Sequence, residues 1–335
     1  MREVPAWAGP FDPDALPGEL LTAERPFVVR GAFAHWPVVA AARESDVALA
    51  RYLMGLYNGV RVGLFQLAPQ AHGRIFYADE TLSSFNFSRH AATLDQVLTG
   101  LLGLAHTPEP PALYVGSTTV EAVLPGFVEA NPIGLGARDA LLSLWLGNRT
   151  RIAAHYDLPY NLAIVAGGRR RFTLFPPEQI HNLYVGPLDP TPAGQPISLV
   201  DFDQPDLARF PRFAQAWEAG EQAVLEPGDA VYIPSMWFHH VEGLDPVNLL
   251  INAWWRQTPE YIDSPLSTLR LALMTLRDLP ENERRIWAHH FQHFVFGADA
   301  STWAHIPEAA RGLLGPLDET VSRQARMQIL NQLKR

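Results

Sequence analysis

The sequence contains no cysteine. This absence excludes disulfide bonds, thiolate zinc sites, iron–sulfur clusters and cysteine nucleophiles. Histidine and carboxylate side chains are then the only strong metal ligands that the chain can offer, so any metal bound here has a shell of nitrogen and oxygen atoms. The 12 histidines and 35 acidic residues are therefore the first places to search for a site.

The chain also lacks long apolar runs, basic blocks and an apolar stretch at its start. No run approaches the roughly 20 apolar residues that a membrane-spanning helix needs, although 47% of the 335 residues are hydrophobic and can fill a large core. The net charge is −9, which disfavours nucleic acid as a partner. The first residues carry acids and prolines where a secretory signal would be apolar. We expect a globular, cytoplasmic protein with neither a membrane nor a nucleic-acid partner.

Short apolar segments separated by turn-forming residues dominate the middle of the sequence. Between residues 112 and 255 these segments are ALYVGS, LLSLWLG, NLAIVAG, RFTLFPP, AVLEPGDAVYIP and VNLLINAWW. Gly, Pro, Asn and Asp separate them at intervals typical of antiparallel barrels. A strand over residues 26–31 and helices over 38–57 and 93–103 precede them. The pattern predicts a β-rich core with flanking helices.

Helical periodicity returns beyond residue 259, in STLRLALMTLRDL, ENERRIWAHHFQHFVFG and ETVSRQARMQILNQLKR. We therefore predict a β-rich domain over residues 1–258 and a C-terminal helical bundle over residues 259–335. His289 and His293 lie four apart on one of these helices, as in zinc-binding helices, but no Glu stands at the catalytic position between them. A structural role is favoured for both.

One short motif carries two candidate metal ligands, His155 and Asp157. On an extended strand, residues two apart face the same side, so the imidazole and the carboxylate converge while Tyr156 points away. Two histidines and one carboxylate on one face of an octahedron hold Fe(II) and leave open positions, as in non-heme oxygenases. An H-x-D pair alone occurs often by chance, and a solvated strand end is its ordinary interpretation. A second histidine must come from elsewhere.

The best source of that histidine is PGDAVYIPSMWFHHV, where a strand ends at Pro234 and a short turn leads to His239 and His240. Strand alternation turns one of two adjacent side chains towards a given site and the other away from it. Either histidine could therefore complete the triad.

Longer motifs, taken together, resemble a known family. PFVVRG and HWP, HYD, GGRRRFTLFPPEQIHNLY, VDFDQPDLARFPRF, LEPGDAVYIPSMWFHHVEG and INAWW follow one another at the spacing of the JmjC or cupin-like oxygenases, in particular the asparaginyl hydroxylase that inhibits hypoxia-inducible factor. The resemblance covers most of the chain, and PGD-x-x-Y-I-P with W-F-H-H-V is its most specific part. It implies a mainly β fold with a double-stranded β-helix (jelly-roll) core in the catalytic domain, Fe(II), and 2-oxoglutarate as cosubstrate.

The resemblance also implies roles for single residues. The iron histidine of such proteins directly follows paired aromatic residues, which selects His239 over His240 as the partner of His155 and Asp157. Arg170 falls where relatives carry the lysine that binds the distal carboxylate of 2-oxoglutarate. An arginine can hold a carboxylate through two parallel hydrogen bonds, but it is longer than lysine and is not a simple substitute for it.

The remaining pocket residues carry over by position. Tyr114 matches a tyrosine that donates to the same carboxylate, and Asn161 and Asn252 match two amides of the pocket. Trp254 is expected to pack beside the metal and screen it from water. Each polar residue could instead be a satisfied core group. Ile152 stands where relatives carry a hydroxyl shortly before HYD, so one donor of the family pocket is missing.

These inferences predict an Fe(II)- and 2-oxoglutarate-dependent dioxygenase that consumes O₂ and hydroxylates a protein or peptide side chain, or a small molecule. A non-catalytic cupin-like module that only binds metal or ligand is an alternative, favoured by Arg170 and Ile152. A metal-dependent isomerase, or a dioxygenase that needs no 2-oxoglutarate, is another. Related hydroxylases dimerise through C-terminal helices, and the apolar stripes of the tail predict a homodimer unless they pack on the barrel.

Overall fold

Two sheets build the first of two compact units of the chain, Met1–Arg256. The computed structural model describes residues 1–9, 11–13, 15–136 and 138–334. The strands are β1 (Arg2–Glu3), β2 (Phe27–Val29), β3 (Val62–Leu67), β4 (Arg74–Ile75), β5 (Phe87–Ala92), β6 (Ala112–Thr119), β7 (Ala140–Gly147), β8 (Arg151–Tyr156), β9 (Tyr160–Gly167), β10 (Arg170–Phe175), β11 (Glu221–Leu225), β12 (Ala230–Ile233), β13 (Phe238–Gly243) and β14 (Asn248–Trp255). One sheet has the order β1-β11-β10-β13-β8-β4, and the other β2-β12-β9-β14-β7-β6-β3-β5.

The strands from β7 to β14 form a jelly roll. Four of them lie in each sheet, as β12-β9-β14-β7 and as β11-β10-β13-β8, and their ladders are antiparallel. Apolar residues from both sheets meet in the space between them, among them Ala163, Val165, Phe172, Val231, Val241 and Leu250. The predicted fold class, a mainly β protein with a double-stranded β-helix core and flanking helices, is confirmed.

Helices cover the outer face of the larger sheet. They are α1 (Pro37–Glu44), α2 (Asp46–Leu56), α3 (Leu94–Leu104), α4 (Val120–Val123) and α5 (Phe127–Ala130), and α6 (Phe213–Ala219) lies between β10 and β11 in the chain. Fully buried side chains such as Trp36, Phe33 and Phe127 fill this layer. Burial of a side chain of this size stabilises the fold by about 2–3 kcal/mol. The outer helices therefore pack on the larger sheet and shield this face of it from solvent.

Two local details refine the predicted helices. The helix expected over residues 38–57 is divided, because Ser45 is extended and its Oγ accepts a hydrogen bond from the backbone N–H of Ala48 at 3.1 Å. The helix expected over residues 93–103 is present as α3, and Thr93 begins it with a capping box that includes Gln96. Short 3₁₀ turns occupy Leu20–Thr22, Pro69–Ala71, Pro177–His181, Glu308–Ala310 and Gly312–Leu314.

The second compact unit, Gln257–Arg335, is helical. Its elements are α7 (Pro265–Thr275), α8 (Glu281–Phe291) with a π-helical continuation over Gln292–Phe296, α9 (Ala300–Trp303) and α10 (Glu319–Leu333). The three long predicted helices of the tail are thus present, although Arg335 lies outside the described residues. No apolar side chain of residues 257–334 is buried. Within the part of the chain that the structure describes, no helix combines the length and apolar content needed to cross a membrane.

Candidate metal centre and cosubstrate pocket

Strand pairing brings the three predicted ligands together. His155 on β8 lies directly opposite His239 on β13, and the ring centroids are 4.3 Å apart. Asp157 follows β8, and its Oδ2 lies 3.4 Å from Nε2 of His239. One ligand atom from each of the three lies within 4.8 Å of the others, the one such group found among the described residues. Neighbouring ligands of an octahedral ion are about 3 Å apart, so a small closing movement suffices for binding.

Each imidazole is held through its other nitrogen by a backbone carbonyl two residues earlier. Nδ1 of His155 lies 2.9 Å from the oxygen of Ala153, and Nδ1 of His239 lies 3.1 Å from the oxygen of Trp237. Because a carbonyl only accepts, each Nδ1 carries the hydrogen and each Nε2 keeps its lone pair for a metal. Sequence motifs did not identify these partners, since any residue type provides a carbonyl.

A bulge adjoins the site in the β8–β13 ladder. The register shifts immediately after His239, and Ala153 and Ala154 pack in clusters separate from the barrel interior. Ile152 and His155 consequently both face the interior although they are three residues apart. Ile152 thus presents an apolar side chain to the pocket interior.

The protonation states suit metal ligation. Burial, with the charge of His239, lowers the pKa of His155 to about 4, although Asp157 opposes this change. Burial alone would raise the pKa of Asp157, but the adjacent imidazole rings of His239 and His155 hold it below its usual value. His155 is therefore neutral and Asp157 ionised at neutral pH, as metal binding requires.

His240 faces away from this group. It lies opposite Thr173 on β10, and its ring packs on Phe202 with centroids 4.6 Å apart. Neither ring nitrogen makes a hydrogen bond of ordinary length. Burial, with the charge of Arg151, lowers the pKa of His240 to about 3. His240 is thus a neutral core ring, whereas His239 joins the other two ligands.

Arg170 is a buried cation in the barrel. It is 2% exposed, and its NH2 donates to the carbonyls of Trp145 at 3.2 Å and Asn248 at 3.5 Å. Its Nε has no partner, and no carboxylate of the described residues pairs with it. Burial lowers its pKa to about 10. A buried guanidinium without a counter-ion is costly, so this position favours a bound anion.

The other predicted pocket residues share this interior. Tyr114 is 6% exposed on β6, and burial raises its pKa while the charge of Arg170 opposes the rise. The Nδ2 group of Asn252 donates to Oδ1 of Asn161 at 3.3 Å. Trp254 lies opposite Asn161 in the β9–β14 ladder. The structure therefore places all five in the barrel or at its rim, on four different strands.

Trp145 is a pocket residue that sequence reasoning missed. Its indole Nε1 donates to Oδ1 of Asn252 at 2.7 Å, and its ring meets that of Trp254 edge-on at 5.6 Å. It stands in LLSLWLG, whose alternate positions Ser143 and Trp145 lie opposite Asn252 and Leu250 of β14. This alternation places Trp145 on the same face of β7 as Ser143, but it points to the pocket only when the pairing of β7 with β14 is known.

A family model described as a cupin-like domain matches residues 13–261. The chain belongs to the cupin-like domain family. This cupin-like protein is similar to lysine-specific demethylase JMJ31 of Arabidopsis thaliana, with 32% identity over 129 residues that cover 37% of the chain and 23% of the relative. It is also similar to tRNA wybutosine-synthesizing protein 5 of Gallus gallus, with 32% identity over 149 residues that cover 40% of the chain and 44% of the relative. The chain thus spans less than half the length of either relative.

Among solved structures, this cupin-like protein is similar to the X-ray structure of E. coli ycfD, with a TM-score of 0.39 and 17% identity over 77% of this chain and 58% of that one. All three residues of the His-Asp-His group lie within the part of the chain that the family model matches. The donor set fits Fe(II), because one carboxylate and two imidazoles with free Nε2 atoms converge on one point.

Exchanging the two adjacent histidines separately tests the ligand assignment. We expect His239→Ala to lower the affinity for Mn(II), used as an air-stable substitute for Fe(II), by at least about 100-fold, because one of three ligands is lost. His240→Phe should leave it unchanged, because that ring packs outside the interior. Titration of the metal-free proteins by calorimetry measures both. Loss of binding in His240→Phe with retention in His239→Ala would reverse the assignment.

The same His240→Phe variant tests the buried neutral imidazole. The pKa of His240 falls from 6.5 in the unfolded chain to about 3 in the folded one, so the unfolded chain binds the proton first as the pH falls. The native state therefore loses stability from about pH 6.5 downwards, by about 2 kcal/mol at pH 5. Urea unfolding of the metal-free proteins at about pH 7 and pH 5 should give the variant a correspondingly smaller loss. Equal losses would contradict the assigned pKa.

Proposed function

We propose that this protein is an Fe(II)- and 2-oxoglutarate-dependent dioxygenase that hydroxylates a protein or peptide side chain. The observation that carries the proposal is Arg170, a buried guanidinium without a carboxylate partner in the barrel that also holds the His-Asp-His group. A metal-binding module without a dicarboxylate ligand has no need of such a cation. A 2-oxoglutarate-dependent enzyme needs one at the far end of its cosubstrate.

The pocket provides a partner for each end of 2-oxoglutarate. Its distal carboxylate would pair with Arg170, and the buried hydroxyl of Tyr114 would donate beside it. Its keto-acid end would reach the metal, near the amides of Asn161 and Asn252. Binding of the dianion would supply the counter-ion that the guanidinium lacks.

The residues of the chain position the reactants and exclude water. His155, Asp157 and His239 would hold the metal from one side, and a set of three protein ligands would leave positions for the cosubstrate and O₂. When bound, Fe(II) and 2-oxoglutarate activate O₂, and the reaction leaves succinate, CO₂ and a hydroxylated product. The apolar walls of the barrel, with Trp254 at the rim, keep bulk water from this chemistry.

A protein substrate is favoured by the resemblance to protein hydroxylases and by the net charge of −9, which suits neutral or basic segments better than tRNA.

The test incubates Fe(II)-loaded protein with peptides from a lysate, 2-oxoglutarate and air, and follows peptide masses. A gain of one oxygen atom supports hydroxylation, and the loss of a methyl group indicates demethylation, the reaction in the name of one relative. Succinate release without a modified peptide points instead to a small-molecule substrate.

Replacing Arg170 tests the cosubstrate site. Arg170→Met should raise the Kd for 2-oxoglutarate by about 100-fold or more and abolish succinate release, since a charged partner is lost. The metal-free variant should unfold at the same or a higher temperature than the wild type, because a buried unpaired charge is removed. Arg171→Met is the matched control, since that side chain pairs with Glu242 at 3.3 Å and is 37% exposed. Unchanged 2-oxoglutarate affinity in Arg170→Met contradicts the proposal.

We further propose that the chain forms a homodimer through its C-terminal unit. That unit has no buried apolar side chain of its own, and α10 exposes an apolar stripe of Met327, Leu330 and Leu333, which are 59%, 57% and 51% exposed. A helical unit without a core needs a partner to bury such a stripe. A second copy is a partner that is always available.

Light scattering after gel filtration tests this assembly. We expect a dimer mass for the wild type, and a shift towards monomer at micromolar concentration for Leu330→Glu, because a charge would have to be buried in the interface. Gln328→Glu introduces the same charge on the same helix and should remain dimeric. A wild-type mass of one chain at all concentrations, or equal behaviour of the two variants, contradicts the proposal.

A further inference from the structure

We infer that Trp145 is a positioning residue of the cosubstrate pocket, which sets the orientation of two amide side chains so that the pocket presents hydrogen-bond donors to the keto-acid end of the ligand. The inference rests on the proposed function, because the ligand in question is 2-oxoglutarate. Trp145 acts through Asn252 and Asn161 and need not touch the ligand.

A hydrogen-bonded chain of fixed direction begins at Trp145. Its indole Nε1 donates to Oδ1 of Asn252 at 2.7 Å, and Nδ2 of Asn252 donates to Oδ1 of Asn161 at 3.3 Å. An indole nitrogen only donates, whereas an amide can turn over and exchange its two ends. The indole N–H of Trp145 therefore selects the Oδ1 end of Asn252 as the end that faces it. Nδ2 of Asn252 then faces Oδ1 of Asn161, so the NH₂ group of Asn161 is the free end of the hydrogen-bonded series.

Three neighbouring strands hold the hydrogen-bonded side chains in place. Trp145 lies on β7, Asn252 on β14 and Asn161 on β9, and β14 pairs with both of the others. The indole ring is itself held, because it lies against Tyr114 at 6.2 Å and Trp254 at 5.6 Å between centroids. The direction of the amides thus follows from a ring that the packing prevents from turning.

The backbone of Trp145 reaches the other end of the pocket. Its carbonyl accepts a hydrogen bond from NH2 of Arg170 at 3.2 Å, so one residue contacts both the cation and the amide chain. Asn161 follows the metal ligand Asp157 by four residues and stands at the start of β9. Trp145 therefore connects Arg170, the proposed partner of the distal carboxylate of 2-oxoglutarate, with Asn161, the proposed donor near the metal.

The orientation matters because both ends of 2-oxoglutarate offer only acceptors. An amide NH₂ group stabilises a carboxylate or keto oxygen, whereas an amide oxygen in the same place repels it. Without the indole donor, Asn252 and Asn161 could turn over together. The ligand would then lose about one net hydrogen bond, or about tenfold in affinity.

The first test needs no cosubstrate. Trp145→Phe removes the indole N–H and keeps a ring, so the signal that this variant loses is the one from Trp145. In the metal-free wild type, the indole N–H signal of Trp145 in a nitrogen-15 NMR spectrum should exchange slowly with solvent and should shift in Asn252→Ala. Trp255→Phe is the matched control, because the buried indole nitrogen of Trp255 has no partner. An indole signal that exchanges fast, or that Asn252→Ala leaves in place, overturns the inference.

The second test measures 2-oxoglutarate binding to the Mn(II)-loaded proteins without O₂. We expect Trp145→Phe to raise the Kd for 2-oxoglutarate about tenfold, with the Mn(II) affinity unchanged and with Trp255→Phe like the wild type. The double variant with Asn252→Ala should be no weaker than Asn252→Ala alone, because the two residues act in series. Additive losses, or a normal Kd in Trp145→Phe, overturn the role of Trp145 and leave the proposed function standing. A wild type that binds no 2-oxoglutarate overturns the proposed function, and the pocket role of Trp145 with it.

Discussion

The pairing of β8 with β13 is the constraint on which the candidate site depends. It sets His155 directly opposite His239, with ring centroids 4.3 Å apart, and Asp157 follows at the end of the same strand. Residues far apart in the chain thereby become neighbours through backbone hydrogen bonds alone. The ladder also orients the rings, because Ala153 and Trp237 present their carbonyls to the two Nδ1 atoms. A one-residue slip of this ladder would turn His239 outwards and His240 inwards, and would dissolve the site.

The barrel interior is apolar except where it would meet a ligand. Arg170 places a positive charge there without a counter-ion, and the amides of Asn161 and Asn252 form a polar strip that begins at Trp145. The outward neighbours of Arg170 behave differently, since Arg169 pairs with Asp245 and Arg171 with Glu242. Arginine thus forms ion pairs on the outer face of the sheet, whereas on the inner face Arg170 carries a charge without a counter-ion.

Much of the fold and of the metal group could be predicted from residues whose side chains determine local geometry. The short apolar segments of β7, β9, β12 and β14, the capping box at Thr93 and the long tail helices follow from such patterns. The H-x-D spacing placed two ligands on one side of a strand for the same reason. The strands β3 and β5 were not predicted, and the break at Ser45 was missed, because a helical pattern of apolar residues continues across it.

The sequence by itself determined the chemical types at the site: no thiolate, two histidines with one carboxylate, and an arginine. It determined them because ligand chemistry belongs to single side chains and short spacings. Only the tertiary structure decided that Arg170 lacks a partner, that a bulge brings Ile152 and His155 to one face, and that Trp145 directs the amides. Those facts depend on which strands become neighbours and in which register, and hydrogen bonds between distant segments fix that register only when the chain has folded.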